Sequence, residues 1–176
     1  SPRSEEPEQI VYLKLADLHA FKNHPFQVKD DEEMRAMVES VKDKGVTQPA
    51  IVRPREGGGY EIVSGHRRQK ASELAGYTDM PCIVRNLTDE QVQLYIKLNE
   101  LVPDLMKLAD ENKLKFTPAV ELAFIRPENQ RYIALAIEAQ QSSPNLSQAK
   151  RLRELDQKNM LNPDIIDGIM LEEKKE

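Results

Sequence analysis

Apolar and polar positions change rhythm several times along the chain. In residues 9–18, QIVYLKLADL, Val11, Leu13 and Leu15 alternate with Tyr12 and Lys14, the period of a half-buried strand. His24-Pro25 then turns the chain, because the residue before a proline is steered out of the helical region. From Asp30 the period lengthens. Met34, Met37, Val38 and Val41 fall at i, i+3, i+4 and i+7, which predicts a helix with one core-facing stripe. Asp30 is placed to cap it with Glu33 at the box position, and Gly45 to end it.

Two strands follow, TQPAIVRP and GYEIVSG, joined through Gly57-Gly58-Gly59, with Pro49 at a strand start where no ladder donor is demanded. The second strand runs into a helix marked by Ala71, Leu74 and Ala75 and closed by Gly76, and DMPCIVRNL supplies one more strand. Residues 10–87 therefore read as a small α+β domain behind a polar lead-in, residues 1–9.

From Thr88 onward the pattern is helical only. Thr88 and Gln91 have capping-box spacing, Pro103 starts a short helix over Leu105, Met106 and Leu108, and Thr117-Pro118 is placed to cap AVELAFI. Pro127 opens another helix, ENQRYIALAIEA, and residues 142–145 break the pattern before LSQAKRLRELDQKNM. A last short helix follows Asn162-Pro163. Residues 88–142 form a helical domain and residues 143–176 a helical tail, so the fold class is α+β followed by all-α.

Composition narrows the function. A net charge of −5 over 176 residues argues against a protein that coats nucleic acid indiscriminately. Arg53, Arg55, Arg67, Arg68, Lys70 and Arg85 nevertheless make residues 53–85 cationic. No apolar run approaches the length of a bilayer span and no leader pattern opens the sequence, so the expectation is a cytoplasmic protein without a membrane partner. Cys82 stands alone in a strand, which excludes a disulfide or thiolate-metal framework and suits a buried thiol. His19, His24 and His66 share no ligand spacing, so no metal held by side chains is expected. The alternating signs of KRLRELDQK read as a solvated face.

The chemistry concentrates where strand meets helix, at SGHRRQKA. A helix beginning after Ser64-Gly65 presents backbone N–H groups and the positive end of a macrodipole, and Arg67 and Arg68 add two permanent charges with forked donors. Phosphate suits such a corner. The same residues also suit a surface that arginines merely cover, and the local pattern leaves both readings open.

GVTQPAIVRP, GGGYEIVSGHRRQKASELAG and MPCIVRNLTDE, in that order, resemble the ParB family of DNA-partition proteins. The family pattern is a Gly-x-x-Gln-Pro stretch, a hairpin, a Gly-Glu-Arg-Arg-x-Arg-Ala box and a closing strand. Gly45, Gln48, Pro49, Gly65, Arg67, Arg68 and Ala71 match it, and Lys70 preserves a charge. The resemblance implies a ParB/sulfiredoxin-like N-terminal domain that binds CTP with magnesium. It places Ser64, Gly65, His66, Arg67 and Arg68 at the triphosphate and Gln48 and Pro49 near the base. His66 stands where the box has Glu, so phosphate contact carries over while slow CTP hydrolysis is left open and no catalytic residue is assigned. Any magnesium would come with the nucleotide.

Residues 92–125 are similar to the later part of the family's helical, helix-turn-helix-type domain. By that resemblance the partners are double-stranded DNA, a ParA-type ATPase and a second copy of the chain, with a nucleoid-associated location. Gln93 and Lys97, one turn apart, are the candidate DNA contacts on the exposed face of the first helix. Residues 147–176 lack the sustained heptads of a dimerising coiled coil.

The family's Glu-Asn-x-x-Arg segment and first helices have no room between Gln91 and Val92. ENQR at residues 128–131 is one residue short and reads as a helix start after Pro127. The expectation is an intervening segment omitted at Gln91-Val92, visible as a gap in the chain. The function the resemblance implies is a CTP-gated clamp on specific DNA for chromosome, plasmid or mobile-element segregation, and two other classes stand beside it: a nucleotide-independent DNA-binding adaptor or regulator, and a nucleotide-dependent small-molecule kinase of the same fold family. A sulfiredoxin needs a nucleophilic Cys where Gly65 stands, so that chemistry is excluded.

Overall fold

The alternating stretch at the start of the chain makes two strands instead of one. In the computed structural model, which describes residues 8–20 and 31–172, β1 (Val11–Lys14) and β2 (Leu18–Ala20) are separated by a 3-10 turn over Leu15–Asp17. The turn expected at His24-Pro25 and the capping role expected of Asp30 lie outside the described residues. β3 (Ala50–Pro54), β4 (Tyr60–Ser64) and β5 (Asp79–Val84) complete a five-stranded sheet in the order β1-β5-β3-β4-β2.

That order constrains the sheet's shape. β1 is antiparallel to β5, and β2 is parallel to β4. Through the antiparallel β3–β4 and parallel β3–β5 pairs, β1 and β2 therefore run the same way. Four strand spacings of ~4.8 Å would put the edges of a flat sheet ~19 Å apart, beyond the ~15 Å that four Cα steps can reach. The sheet must curl until one kinked segment pairs with both edges. Leu18, Ala50, Val52, Ile62, Met80 and Cys82 fill its inside. The Gly57-Gly58-Gly59 turn closes the β3–β4 hairpin, with the Arg55 N–H donating to Gly59 O at 3.0 Å.

α1 (Glu32–Lys44) packs on α2 (His66–Leu74) through Met34, Val41 and Ala71, with Met37 and Val38 on the same cluster. The stripe read from the sequence is thus core. The N-cap is Asp31: its extended backbone precedes the first helical residue, and its carboxylate accepts the Met34 N–H at 2.9 Å. Gly45 ends the helix at φ 72°. The two helices begin at the same end of the unit, since Arg67 lies near Asp31 while the Tyr77 hydroxyl, just past α2, donates to Val41 O at 3.2 Å.

The chain divides into two compact units, residues 1–92 and 93–176. α3 (Asp89–Lys97) carries it from one to the other without a break. Thr88 and Gln91 make the reciprocal capping box, and the Val92 N–H donates to Thr88 O at 3.0 Å. Gln91 and Val92 are thus consecutive residues of one helix, which holds both the cap and the apolar residues beyond it.

The second unit comprises α4 (Pro103–Asp110), α5 (Phe116–Ala123), α6 (Pro127–Gln140), α7 (Leu146–Gln157) and α8 (Pro163–Leu171) around Leu105, Leu122, Ile133, Leu152 and Ile166. α5 begins before its expected cap: Lys115 is the N-cap and Thr117-Pro118 lie inside the first turn, where the missing proline N–H costs no helical bond. Asn145 and Gln148 form a full capping box on α7, and Asn162 caps α8. Residues 128–131 are the opening turn of α6, and Gln130 there is a structural brace only 1% exposed. Its Oε1 accepts the Val102 N–H at 2.8 Å, and its Nε2 donates to Glu100 O and Ile125 O. Among the described residues no helix is long and apolar enough to cross a membrane.

Candidate anion site at the Gly65 corner

β4 ends at Ser64, and the chain must swing from extended to helical within one residue. Gly65 does so at φ 109°, ψ 22°, a conformation that L side chains rarely adopt. A Cβ on it would also lie 2.9 Å from Ala50 Cβ and 3.1 Å from Ala50 Cα. The glycine is therefore required twice, by torsion and by the close approach of β3. With no side chain on its N-cap, α2 has no side-chain cap, so the donors of its first turn are presented by backbone alone.

The two arginines have different jobs. Arg68 turns inward, and its Nη1 donates to Gln48 O at 3.1 Å and Pro49 O at 3.0 Å. This brings Gln48 and Pro49, far apart from the corner in sequence, against the start of α2. Arg67 stays near the surface, its side chain 40% exposed, with Nη2 at 3.5 Å from Asp31 Oδ1 and 3.7 Å from Glu33 Oε2. The Met34 N–H holds the Asp31 carboxyl below its ordinary range, partial desolvation opposing and Arg67 assisting. Ser64 and His66 flank the glycine, each half-buried, and Nε2 of His66 is shielded from solvent.

Sequence reasoning missed the groups that anchor this corner. The Gln69 side-chain amide donates to Leu18 O at 3.3 Å, tying α2 to the β2 edge, and Ser72 Oγ donates to Arg68 O at 2.8 Å. The Gln69 bond has no local pattern that announces it, since its partner is supplied by the tertiary fold, whereas the Ser72 bond is the i, i−4 contact of a helical serine within α2. Arg53, read as part of a cationic stretch, is a brace. It donates to Glu61 at 2.9 Å, Asp89 at 2.9 Å and Leu87 O at 3.2 Å. Burial pulls its pKa down, but the bonds to Glu61 and Asp89 outweigh that and leave it raised.

The corner, Ser64 to Arg68 with Gln48 and Pro49, carries no cysteine. Cys82 is fully buried in β5, and burial pushes its thiol up to about 11. Among the described residues no group of three or more His, Cys, Asp or Glu could hold a metal ion.

In the second unit the two candidate DNA contacts part company. Gln93 is exposed. Lys97 is partly buried, ion-paired with Glu100, and its Nζ lies 4.2 Å above the Phe124 ring. Arg153 lies over the same ring at 3.7 Å and pairs with Glu121 at 2.9 Å. Lys97 is therefore engaged within the helical unit, which the spacing of Gln93 and Lys97 alone did not reveal.

The sequence profile of the ParB N-terminal domain family matches residues 1–101. The chain belongs to the ParB family. A "Probable chromosome 1-partitioning protein ParB" of Deinococcus radiodurans is 33% identical over 129 residues, covering 73% of this chain and 43% of that protein. A "Chromosome-partitioning protein ParB" of Myxococcus xanthus is 39% identical over 82 residues, covering 47% of this chain and 27% of that one. The chain thus spans less than half the length of these curated relatives. Among solved structures, the C-terminally truncated chromosome-partitioning protein ParB from Caulobacter crescentus, complexed with CTP-gamma-S, aligns with a TM-score of 0.48 at 21% identity. That alignment covers 85% of this chain and 98% of that chain.

Proposed function

We propose that the chain is a ParB-type partition protein whose first unit binds a nucleoside triphosphate, CTP by preference, at the Gly65 corner. The second unit would then carry the contacts to specific double-stranded DNA. The observation that carries this reading is the corner itself: an obligate glycine opening an uncapped helix, with the Arg67 fork near the surface and Arg68 fastening the Gln48-Pro49 turn alongside. Such a constellation suits phosphate oxygens at the helix start and a base against the Gln48-Pro49 turn. Membership of the ParB family supports it, and so does the CTP-gamma-S complex of the Caulobacter relative. Nucleotide-gated clamping on DNA, a homodimeric assembly and a ParA-type ATPase partner belong to the same proposal.

Calorimetric titration with CTP, ATP, GTP and UTP in magnesium tests it. CTP should bind most tightly, and equal affinity for all four would remove the preference. A second reading has one observation in its favour: both arginines of the corner already have internal partners, as they would in a structural brace. In that case the chain is a nucleotide-independent DNA-binding adaptor, and the same titrations would show no saturable heat.

A further inference from the structure

The end of the first unit where α1 and α2 both begin is electrostatically unusual. Two macrodipoles point their positive ends the same way there, and each favours nearby negative charge. In the described chain that charge is supplied by α1 itself: Asp31 and Glu33 lie at 3.5 Å and 3.7 Å from Arg67, the arginine best placed to meet phosphate. These are charge contacts longer than a good charge-assisted hydrogen bond. The carboxylates are accessible, Asp31 being 44% and Glu33 78% exposed at the side chain. The pairing is therefore exchangeable, unlike the inward bonds of Arg68.

We propose that Asp31 and Glu33 form an internal anion that competes with phosphate for Arg67, so that triphosphate binding draws Arg67 away from the first turn of α1. This rests on the nucleotide-binding reading of the corner. The device sets affinity: the acidic turn lowers it, and any event that withdraws α1's acids from Arg67 raises it. Asp31 has a second duty, capping α1 through the Met34 N–H. Glu33 has no such bond among the described contacts, so it is the residue through which the competition can be tuned without unwinding the helix.

Glu33→Gln, titrated with CTP and separately with inorganic tripolyphosphate at low salt, tests the proposal. Exposed ion pairs of this kind are worth at most about a five-fold change in an equilibrium. Glu33→Gln should bind both probes about two- to five-fold more tightly than the unmodified chain. Glu39→Gln makes the same charge change further along α1, where Glu39 pairs with Lys42 at 3.6 Å, and should bind as the unmodified chain does. On an Arg67→Ala background the gain from Glu33→Gln should vanish. Unchanged affinity in Glu33→Gln, an equal gain in Glu39→Gln, or a gain that survives without Arg67 would each overturn the proposal while leaving the nucleotide site standing. No binding of either probe by the unmodified chain would overturn both, and that outcome separates the two failures.

Discussion

In the first unit the charges that matter gather where β4 meets α2 and stay within reach of solvent, whereas in the second the important polar groups are buried and fully bonded. Gln130 satisfies three backbone groups. Asp156, 3% exposed, accepts from the Arg126 N–H at 3.2 Å and from Asn129 at 2.7 Å. Gln148 links the α7 capping box to Ile169 O. Such networks fix a helical array, and their polar atoms are spent on it. At the Gly65 corner, in contrast, an uncapped helix start and an exchangeable arginine stand together. The difference teaches that polarity buried and satisfied reads as architecture, and polarity presented reads as a site.

The largest effect should come from breaking the architectural side. Gln130→Leu strands the buried Val102 N–H and Ile125 carbonyl and frees the part-buried Glu100 carbonyl, and should cost about 4 kcal/mol of stability by urea unfolding. Gly65→Ala comes next. Torsional strain and overlap with Ala50 together should cost about 3 kcal/mol, and corner geometry should fail with it, so CTP affinity should drop too. If Gly65→Ala were neutral in both, the close packing at the corner would be wrong.

Arg67→Ala sharpens the contrast from the other direction. It should leave stability within about 0.5 kcal/mol, because its ion pairs are exposed, yet weaken CTP binding by about 1.5 to 3 kcal/mol. Arg68→Ala should instead lower stability, by about 1 to 2 kcal/mol, through two carbonyls left without their charged donor. Equal losses of stability in the two variants would abolish the division of labour assigned to the arginines.

The smallest effect is on pH dependence. Arg85 holds the Glu8 carboxyl below its ordinary range through hydrogen bonds, and the Met34 N–H does the same chiefly for Asp31. A carboxyl depressed on folding stabilises the folded chain above its unfolded pKa, and that contribution is lost as pH falls through the folded value. The thermal midpoint should therefore decline slightly below the ordinary values of 4.5 and 3.8. The decline should shrink in Glu8→Gln, and an unaltered profile would show the Glu8–Arg85 pair to be inconsequential.

Much of the fold was legible because it is local. The hairpin with its three glycines, the stripe of α1, the capping box at Thr88, and the prolines opening α4, α6 and α8 each announce themselves within a few residues. What depends on distant partners did not. Residues 9–18 alternate like one strand, and only pairing with β5 and β4 shows that the segment kinks at Leu15–Asp17 to meet both edges. Lys97 has the spacing of a groove contact, but Phe124, distant in sequence, claims it together with Glu100 three residues on. At the corner itself, Gly65 and the arginine pair were readable, whereas the inward turn of Arg68 and the hold of Asp31 and Glu33 on Arg67 required the packed fold.

Backbone amide chemical-shift mapping during titration of the isotope-labelled chain with CTP and magnesium tests the central claim most directly. The account predicts saturable shifts that are largest at Gln48 and at Gly65, His66, Arg67 and Arg68, with the amides of residues 93–172 changing less. Largest shifts within the helical unit, or no saturable shift at the corner, would contradict it.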